Sequence, residues 1–311
     1  MKRTTFLILS LTLLTLASLL GCTGNSGSAS GKRVVKIAYL PITHALPVFE
    51  LKEELEAQDA DLQVELVKYG SWPELLDALN TNRVDGASVL IELAMKSKES
   101  GIGIKAVALG HKDGNVMIAS PEIKTASDLK GKRVSIPHRQ SSHNILVNHA
   151  LEQGGLTIDD VALVELSPPE MPAALASGQI DAYCVAEPFG AIAVSVGAGR
   201  VLFTSEELWE DSLCCGLVLT DAFLENRVDD AKEFVEDYKA AGRNLTKERA
   251  KEIAIKYLNQ KPEVLDISLQ WISYDDLEIT PEIYDALLQR VKDYGLSDNP
   301  PTYEQFVKGQ F

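Results

Sequence analysis

Residues 130–155 read Lys130-Gly-Lys-Arg-Val-Ser-Ile-Pro-His-Arg-Gln-Ser-Ser-His-Asn-Ile-Leu-Val-Asn-His-Ala-Leu-Glu-Gln-Gly-Gly155. Gly131 and Lys132 turn the chain, and Arg133 to Pro137 reads as a short β-branched strand. A polar cluster from His138 to Asn144 follows. Ile145, Leu146, His149, Ala150 and Leu151 then recur at helical spacing until Gly154-Gly155 stops the helix. Strand, polar turn and helix in this order point the free N–H groups of a helix start out of a sheet edge. Ser141 or Ser142 is the natural N-cap, and the remaining N–H groups and hydroxyls stay available to a ligand oxygen. Taken alone, the stretch reads first as a well-capped helix and nothing more, so any further meaning depends on the chain around it.

Upstream, the pattern alternates strand and helix. Strands are expected at 34–40, 62–69, 84–90 and 104–109, with helices between them. Ser71 and Glu74 have the spacing of a capping box, with Pro73 tolerated in the first turn. Strands separated by helices of about ten residues imply βαβ units and hence a parallel sheet covered on both faces. After a turn at His111–Gly114 a second series begins, with strands at 115–119, 133–137, 161–166, 180–185 and 200–204. Residues 125–129 form a capped turn, and Ser167 with Glu170 caps a helix running to Gly178. Residues 214–220 carry the chain onward, and from Asp221 the pattern is helical at 229–245, 247–257, 262–271 and 281–294. Two such series with a helical return predict an α/β chain of two lobes joined by two crossings. The first lobe takes 33–112 plus 214–311, the second 113–213. A ligand then belongs in the crevice at the carboxyl ends of the strands.

The N-terminus is of another kind. Met1-Lys2-Arg3 precedes an apolar run from Phe6 to Leu20 that ends Leu19-Leu20-Gly21-Cys22. This is the charged start and short apolar core of an export signal, too short for a membrane span. It resembles the bacterial lipoprotein processing box, which implies a signal peptide over 1–21, lipidation of Cys22 and a flexible Gly/Ser-rich tether over 22–32. The formal net charge is −15, and loss of Lys2 and Arg3 makes the mature chain two units more negative. Such an acidic balance argues against nucleic acid and against a basic lipid-binding patch. It leaves room for an anion at a helix start, where the attraction is local. Besides Cys22 the chain has Cys184, Cys214 and Cys215. Export permits a disulfide, but three cysteines leave one over. The expectation is buried small hydrophobes or one bridge from Cys184 (to Cys214 or Cys215), with no redox chemistry.

Several segments carry a family resemblance: Tyr39-Leu-Pro-Ile-Thr-His-Ala45, Val84-Asp-Gly-Ala87, Asp128-Leu-Lys-Gly-Lys-Arg-Val134, and Asp181-Ala with Ala186-Glu-Pro-Phe189. Over most of 34–220, in order, the chain resembles the nitrate/sulfonate/taurine-type substrate-binding proteins of ABC importers, a superfamily shared with thiamine-pyrimidine synthases. The resemblance implies a two-lobed periplasmic-binding-protein-like fold of type II, with two hinge crossings and a helical C-terminal segment. It also implies a small-molecule solute, an ABC permease with its ATPase as partners, a lipid-anchored position outside the cytoplasm, and a monomer. Its ligand contacts fall on the loop after the first strand (Pro41, Thr43, His44), on Ser88 after the third, and on the helix start matching Gln140–His143. Glu187 matches the acidic residue of the Glu-Pro-Phe signature. Many relatives carry glycine at that helix start where this chain has Gln140-Ser141-Ser142-His143.

The candidate ligand-binding residues are therefore Pro41, Thr43, His44, Trp72, Ser88, His138, Ser141, Ser142, His143 and Glu187. Hydroxyl and imidazole donors suit an oxyanion or sulfonate, whereas Trp72, Tyr39 and Glu187 suit a heteroaromatic precursor; the first class is favoured narrowly. Trp72 alternatively packs between helix and sheet, and Glu187 alternatively braces the hinge. His138, His143 and His44 lack the i, i+4 spacing and the carboxylate partner of a metal site, so no metal is expected. No cofactor and no catalytic residue is assigned. The rival class is an enzyme of the thiamine-pyrimidine type, for which only Cys214-Cys215 offers reactive sulfur and for which export is unsuited.

Overall fold

The structure, a computed structural model, describes residues 31–210 and 212–310. The signal peptide, Cys22 and nearly all of the tether lie outside the described residues. The strands are β1 (Arg33–Tyr39), β2 (Leu62–Lys68), β3 (Gly86–Leu90), β4 (Ile104–Leu109), β5 (Lys112–Asp113) and β6 (Asn115–Ala119). They continue as β7 (Arg133–Ile136), β8 (Ala162–Glu165), β9 (Ala182–Ala186), β10 (Arg200–Thr204), β11 (Cys215–Thr220) and β12 (Ile272–Ser273). The helices that position the site are α1 (Leu46–Ala57), α2 (Trp72–Asn80), α3 (Ile91–Glu99), α4 (Ser142–Gln153), α5 (Met171–Ala176) and α6 (Phe189–Ser195). After α7 (Ser205–Leu208) and α8 (Asp221–Asn226) come the C-terminal α9 (Val228–Asn244), α10 (Lys247–Leu258), α11 (Pro262–Ser268), α12 (Pro281–Asp293) and α13 (Tyr303–Phe306). Among the described residues no helix is long and apolar enough to cross a membrane.

Two five-stranded sheets organise these elements. One has the order β2-β1-β3-β11-β4, the other β10-β6-β9-β7-β8. The chain passes between them twice, through residues 110–114 and 205–214. β3 is buried along its whole length, as expected of a strand covered on both faces. Thr125 and Asp128, and Ser167 and Glu170, form reciprocal capping boxes.

The expectation of a parallel sheet needs correcting. β1 runs parallel to β2 and β3, and β7 parallel to β8 and β9. β11, however, is antiparallel to both β3 and β4, and β6 to both β9 and β10. The reason is connectivity. β11 does not return over a helix; it enters the first sheet directly from the second, at the end where β3 and β4 finish, and can only run back. Ser71 is the N-cap of α2, but its side chain makes no capping hydrogen bond, so the expected capping box is not formed there. Helices α3 and α6 are not legible in the sequence: α3 begins at the residue after β3 ends, and α6 only three residues after β9 ends.

Long-range polar contacts secure the helical C-terminus. Arg249 clasps Glu50 of α1 with Nε at 2.9 and 2.8 Å from its two carboxylate oxygens. The Arg290 guanidinium lies 4.3 Å from the ring centroid of Trp209, and the Tyr294 hydroxyl donates to Glu152 at 3.0 Å.

Candidate functional site

The carboxyl end of β1 feeds a turn of 3-10 helix, Thr43–Ala45, whose residues are all buried. Thr43 reaches the second sheet: its N–H and its hydroxyl both donate to the Glu187 carbonyl, at 2.9 and 3.0 Å. Tyr274 donates to the Thr43 carbonyl at 2.9 Å. His44, with no exposed surface, donates from Nε2 to the Gly114 carbonyl at 2.9 Å. Its Nδ1 therefore faces inward, 3.8 Å from the Cys214 sulfur. The His111 ring lies against it, centroid to centroid 3.5 Å. A Cβ on Gly110 would come 2.8 Å from the His44 carbonyl, so glycine is what lets the β4 end pass this close.

β11 opens at the same corner. Gly216 pairs with Leu109 and Cys215 with Leu90, which brings Cys214 and Cys215 beside the residues that follow β4. The two sulfurs are 3.8 Å apart, and Cys214 lies 3.6 Å from Asn115 Oδ1. The ligand atoms of His44, His111, Cys214 and Cys215 all fall within 4.8 Å of one another, and all four residues are buried. Cys184, Cys214 and Cys215 are free thiols.

From the second sheet, α4 starts at Ser142 with Ser141 as N-cap. Ser141 spends its hydroxyl on the His138 carbonyl at 2.6 Å. Ser142 and His143 are fully buried, and neither the Ser142 hydroxyl nor either His143 nitrogen has a partner. The Ser88 hydroxyl, both Glu92 carboxylate oxygens, His111 Nδ1 and Asn115 Nδ2 are likewise buried and unpaired. A buried polar group without a partner costs about 1–3 kcal/mol, so a concentration of them marks a place built for something more than packing.

The electrostatics set each proton. Burial pushes His111 and His143 down to about 4, so both imidazoles are neutral near pH 7. Burial, and then the Cys214 sulfur, hold the Glu92 carboxyl well above the usual range. Burial alone would raise the Cys214 thiol, but the Cys215 thiol and the His143, His111 and His44 imidazoles hold it well below the ordinary value. Cys215, buried beside that sulfur, is pushed well above. Burial raises Glu187 to about 8, against the opposing pull of the Ala191 N–H, which donates to both carboxylate oxygens at 3.2 Å.

The remaining candidates lie elsewhere. Trp72 and His138 face a hollow of about 370 Å³ shared with Pro137, Glu165 and Pro168. Trp72 is nevertheless almost wholly buried, its indole N–H unpaired. Pro41 borders another hollow, with Lys68, Tyr69 and Phe189. The Glu187 carboxylate is turned to the start of α6.

The sequence profile of the NMT1-like family matches residues 28–259. The chain belongs to the NMT1-like family. A ligand-binding component of an ABC-type import system from Staphylococcus aureus, solved with zinc bound, is 40% identical, with a TM-score of 0.86 over 89% of this chain and 97% of that one. The nitrate import ATP-binding protein NrtC of Synechocystis is 30% identical over 59% of this chain and 30% of its own length. A putative aliphatic sulfonates-binding protein of Escherichia coli is 28% identical over 58% of this chain and 57% of its own. The chain thus spans well under two thirds of these two curated relatives.

In this NMT1-like chain Thr43, His44, Ser142 and His143 are all buried, and Thr43 bonds across to the Glu187 carbonyl beyond β9. Sequence reasoning did not include His111, Cys214, Cys215, Glu92 or Asn115. The signal available for three of them was position: His111 and Cys214-Cys215 stand just outside two apolar strands, where strand-end residues of an α/β sheet collect.

Proposed function

We propose that the protein is the extracytoplasmic solute-binding component of an ABC-type importer. The observation that carries this reading is that both sheets bury polar groups without partners, His111 on one side and Ser142 and His143 on the other, with His143 acting electrostatically on His44 and Cys214 across the junction. A solute touching both sides favours a closed state over an open one by its differential contacts, which is how such a receptor signals occupancy. In this reading, residues 33–112 plus 214–311 move against 113–213 about the two crossings. Cys22 carries the lipid, and the closed monomer is presented to a permease and its ATPase. The solute is a small polar molecule or ion held by hydrogen bonds or coordination, and no chemistry is done on it. Zinc in the S. aureus protein adds metal ions to the oxyanion and sulfonate classes as solutes to be tried. Thermal unfolding of the purified chain against nitrate, bicarbonate, alkanesulfonates, a pyrimidine and divalent metal ions tests the reading. A solute that stabilises the fold and is recovered unchanged supports it. Turnover of a bound solute would overturn it in favour of an enzyme.

A further inference from the structure

We propose that His44, His111, Cys214 and Cys215 form a coordination centre for a borderline-soft divalent cation of the Zn²⁺ class, and that this ion is the solute the molecule captures. The inference rests on the reading of this region as a solute site and names its ligand class.

Distances come first. Tetrahedral coordination with Zn–S near 2.3 Å and Zn–N near 2.0–2.1 Å requires ligand-to-ligand separations of about 3.8 Å for two sulfurs and about 3.5 Å for sulfur and nitrogen. Cys214 and Cys215 stand 3.8 Å apart, as do Cys214 and His44 Nδ1. All four ligand atoms lie within 4.8 Å of one another, so closing on an ion needs only small side-chain adjustments.

The surroundings of the ligands agree. A coordinating histidine typically donates its other N–H to a carbonyl or carboxylate, which fixes tautomer and ring orientation. His44 does this with Gly114 at 2.9 Å. His111 departs from this pattern: its Nε2 accepts the Cys215 N–H at 3.4 Å, and its Nδ1 is buried without a partner. Asn115 sits 3.6 Å from Cys214 through its amide oxygen while its amide nitrogen is buried and unpaired. A half-turn of that amide presents an N–H to the thiolate that coordination produces.

Charge decides the class. Two thiolates and two neutral imidazoles around a divalent cation sum to zero, the state a water-excluded position tolerates. The protons of both thiols leave to solvent as the ion enters. An anion would find no lysine or arginine among the residues gathered here. Mixed thiolate and imidazole donors select zinc-like ions over calcium or magnesium, which take oxygen. All four ligands belong to the first sheet's corner and its crossings. His143, buried on α4 with both nitrogens unpaired, acts electrostatically on Cys214 and His44 from the second sheet. That is the asymmetry expected of a solute site that closes on its cargo.

The test uses the chain kept reduced and stripped by a chelator. Calorimetry with Zn²⁺, and absorption spectra with Co²⁺, are expected to show one ion per chain and thiolate-to-cobalt charge transfer. Cys214→Ser and Cys215→Ser should each weaken binding at least 100-fold and diminish the charge-transfer band, with metal-free melting temperatures showing that both variants fold. His143→Ala should retain one ion but lose the compaction that Zn²⁺ induces in the wild type by small-angle scattering. Absence of Zn²⁺ binding, or equal affinity in both cysteine variants, overturns the centre. Binding without compaction of the wild type overturns the ion's role as solute. Stabilisation by nitrate or an alkanesulfonate but not by Zn²⁺ overturns the metal proposal while the receptor reading stands.

Discussion

Thr43 holds the Glu187 carbonyl twice, by its backbone N–H at 2.9 Å and by its hydroxyl at 3.0 Å, and so ties the end of β1 to the end of β9. Replacing Thr43 by Val keeps the shape and removes only the hydroxyl donor. The carbonyl keeps its backbone partner, so the expected loss is about 1 kcal/mol. For a domain of this size that lowers the melting temperature by roughly 2–4 °C. If the contact belongs to the closed form alone, solute affinity should fall about fivefold as well. Calorimetry and thermal melts on Thr43→Val check both, and an unchanged pair of values would show that the hydroxyl bond contributes nothing.

Glu187 gives a pH dependence whose sign can be worked out. Its folded value of about 8 lies above the ordinary carboxyl range. Between pH 4.5 and 8 the folded state keeps a proton that the unfolded state has lost, so this group's stabilisation falls as pH rises through that window and then levels. His111 and His143, pushed down to about 4, act in the opposite sense between there and the ordinary histidine value. Comparing the wild type with Glu187→Gln cancels the histidines, since glutamine still accepts from the Ala191 N–H. The stability advantage of wild type over variant should shrink between pH 5 and 8, by a few kcal/mol at most. A difference independent of pH in denaturant titrations would contradict a protonated Glu187.

Gly190 lies under that carboxylate. A Cβ added there would overlap the Val116 side chain and a Glu187 carboxylate oxygen. Gly190→Ala is expected to destabilise by roughly 1–3 kcal/mol through overpacking, read as a lower denaturation midpoint at unchanged slope. Gly178→Ala is a useful contrast. Its Cβ meets nothing, but its φ of +69° carries a backbone penalty, so the cost there comes from conformation and not from contact.

Arg290 on α12 stacks over Trp209 at 4.3 Å, and Trp209 lies in the segment that leads from β10 back to the first sheet. The contact is worth about 1 kcal/mol. Arg290→Ala should shift tryptophan fluorescence and weaken solute binding severalfold, and Arg290→Lys should recover part of both. A Trp209→Phe background identifies which of the three tryptophans reports. Unchanged affinity in Arg290→Ala would show that the stack does not belong to the closed state.

Local signals in the sequence carried much of this fold. The strand, polar turn and helix at 133–153 stand as expected, with Ser141 as N-cap, because each element is written in its own residues. Thr43, His44, Ser142 and His143 were named from strand-end position and resemblance. All four are buried, while Trp72, His138 and Pro41 border separate hollows. His111 and Cys214-Cys215 carry no local sign that they meet, since what joins them is the pairing of β4 with β11 across more than 100 residues. Strand direction was misjudged for the same reason. Periodicity tells which face a strand buries, not which neighbour it takes or which way it runs.

One consequence follows from where the chain passes between the sheets. His111 stands in the first passage and Cys214 in the second, so half of the proposed grip is mounted on the proposed pivot itself. A grip there has a short lever arm. A difference of a few tenths of an ångström in ionic radius or bond length, felt at the sulfurs, becomes a displacement of several times that at the far rim of each half. A permease reading only the rim could then tell a well-fitting solute from a poorly fitting one without touching either.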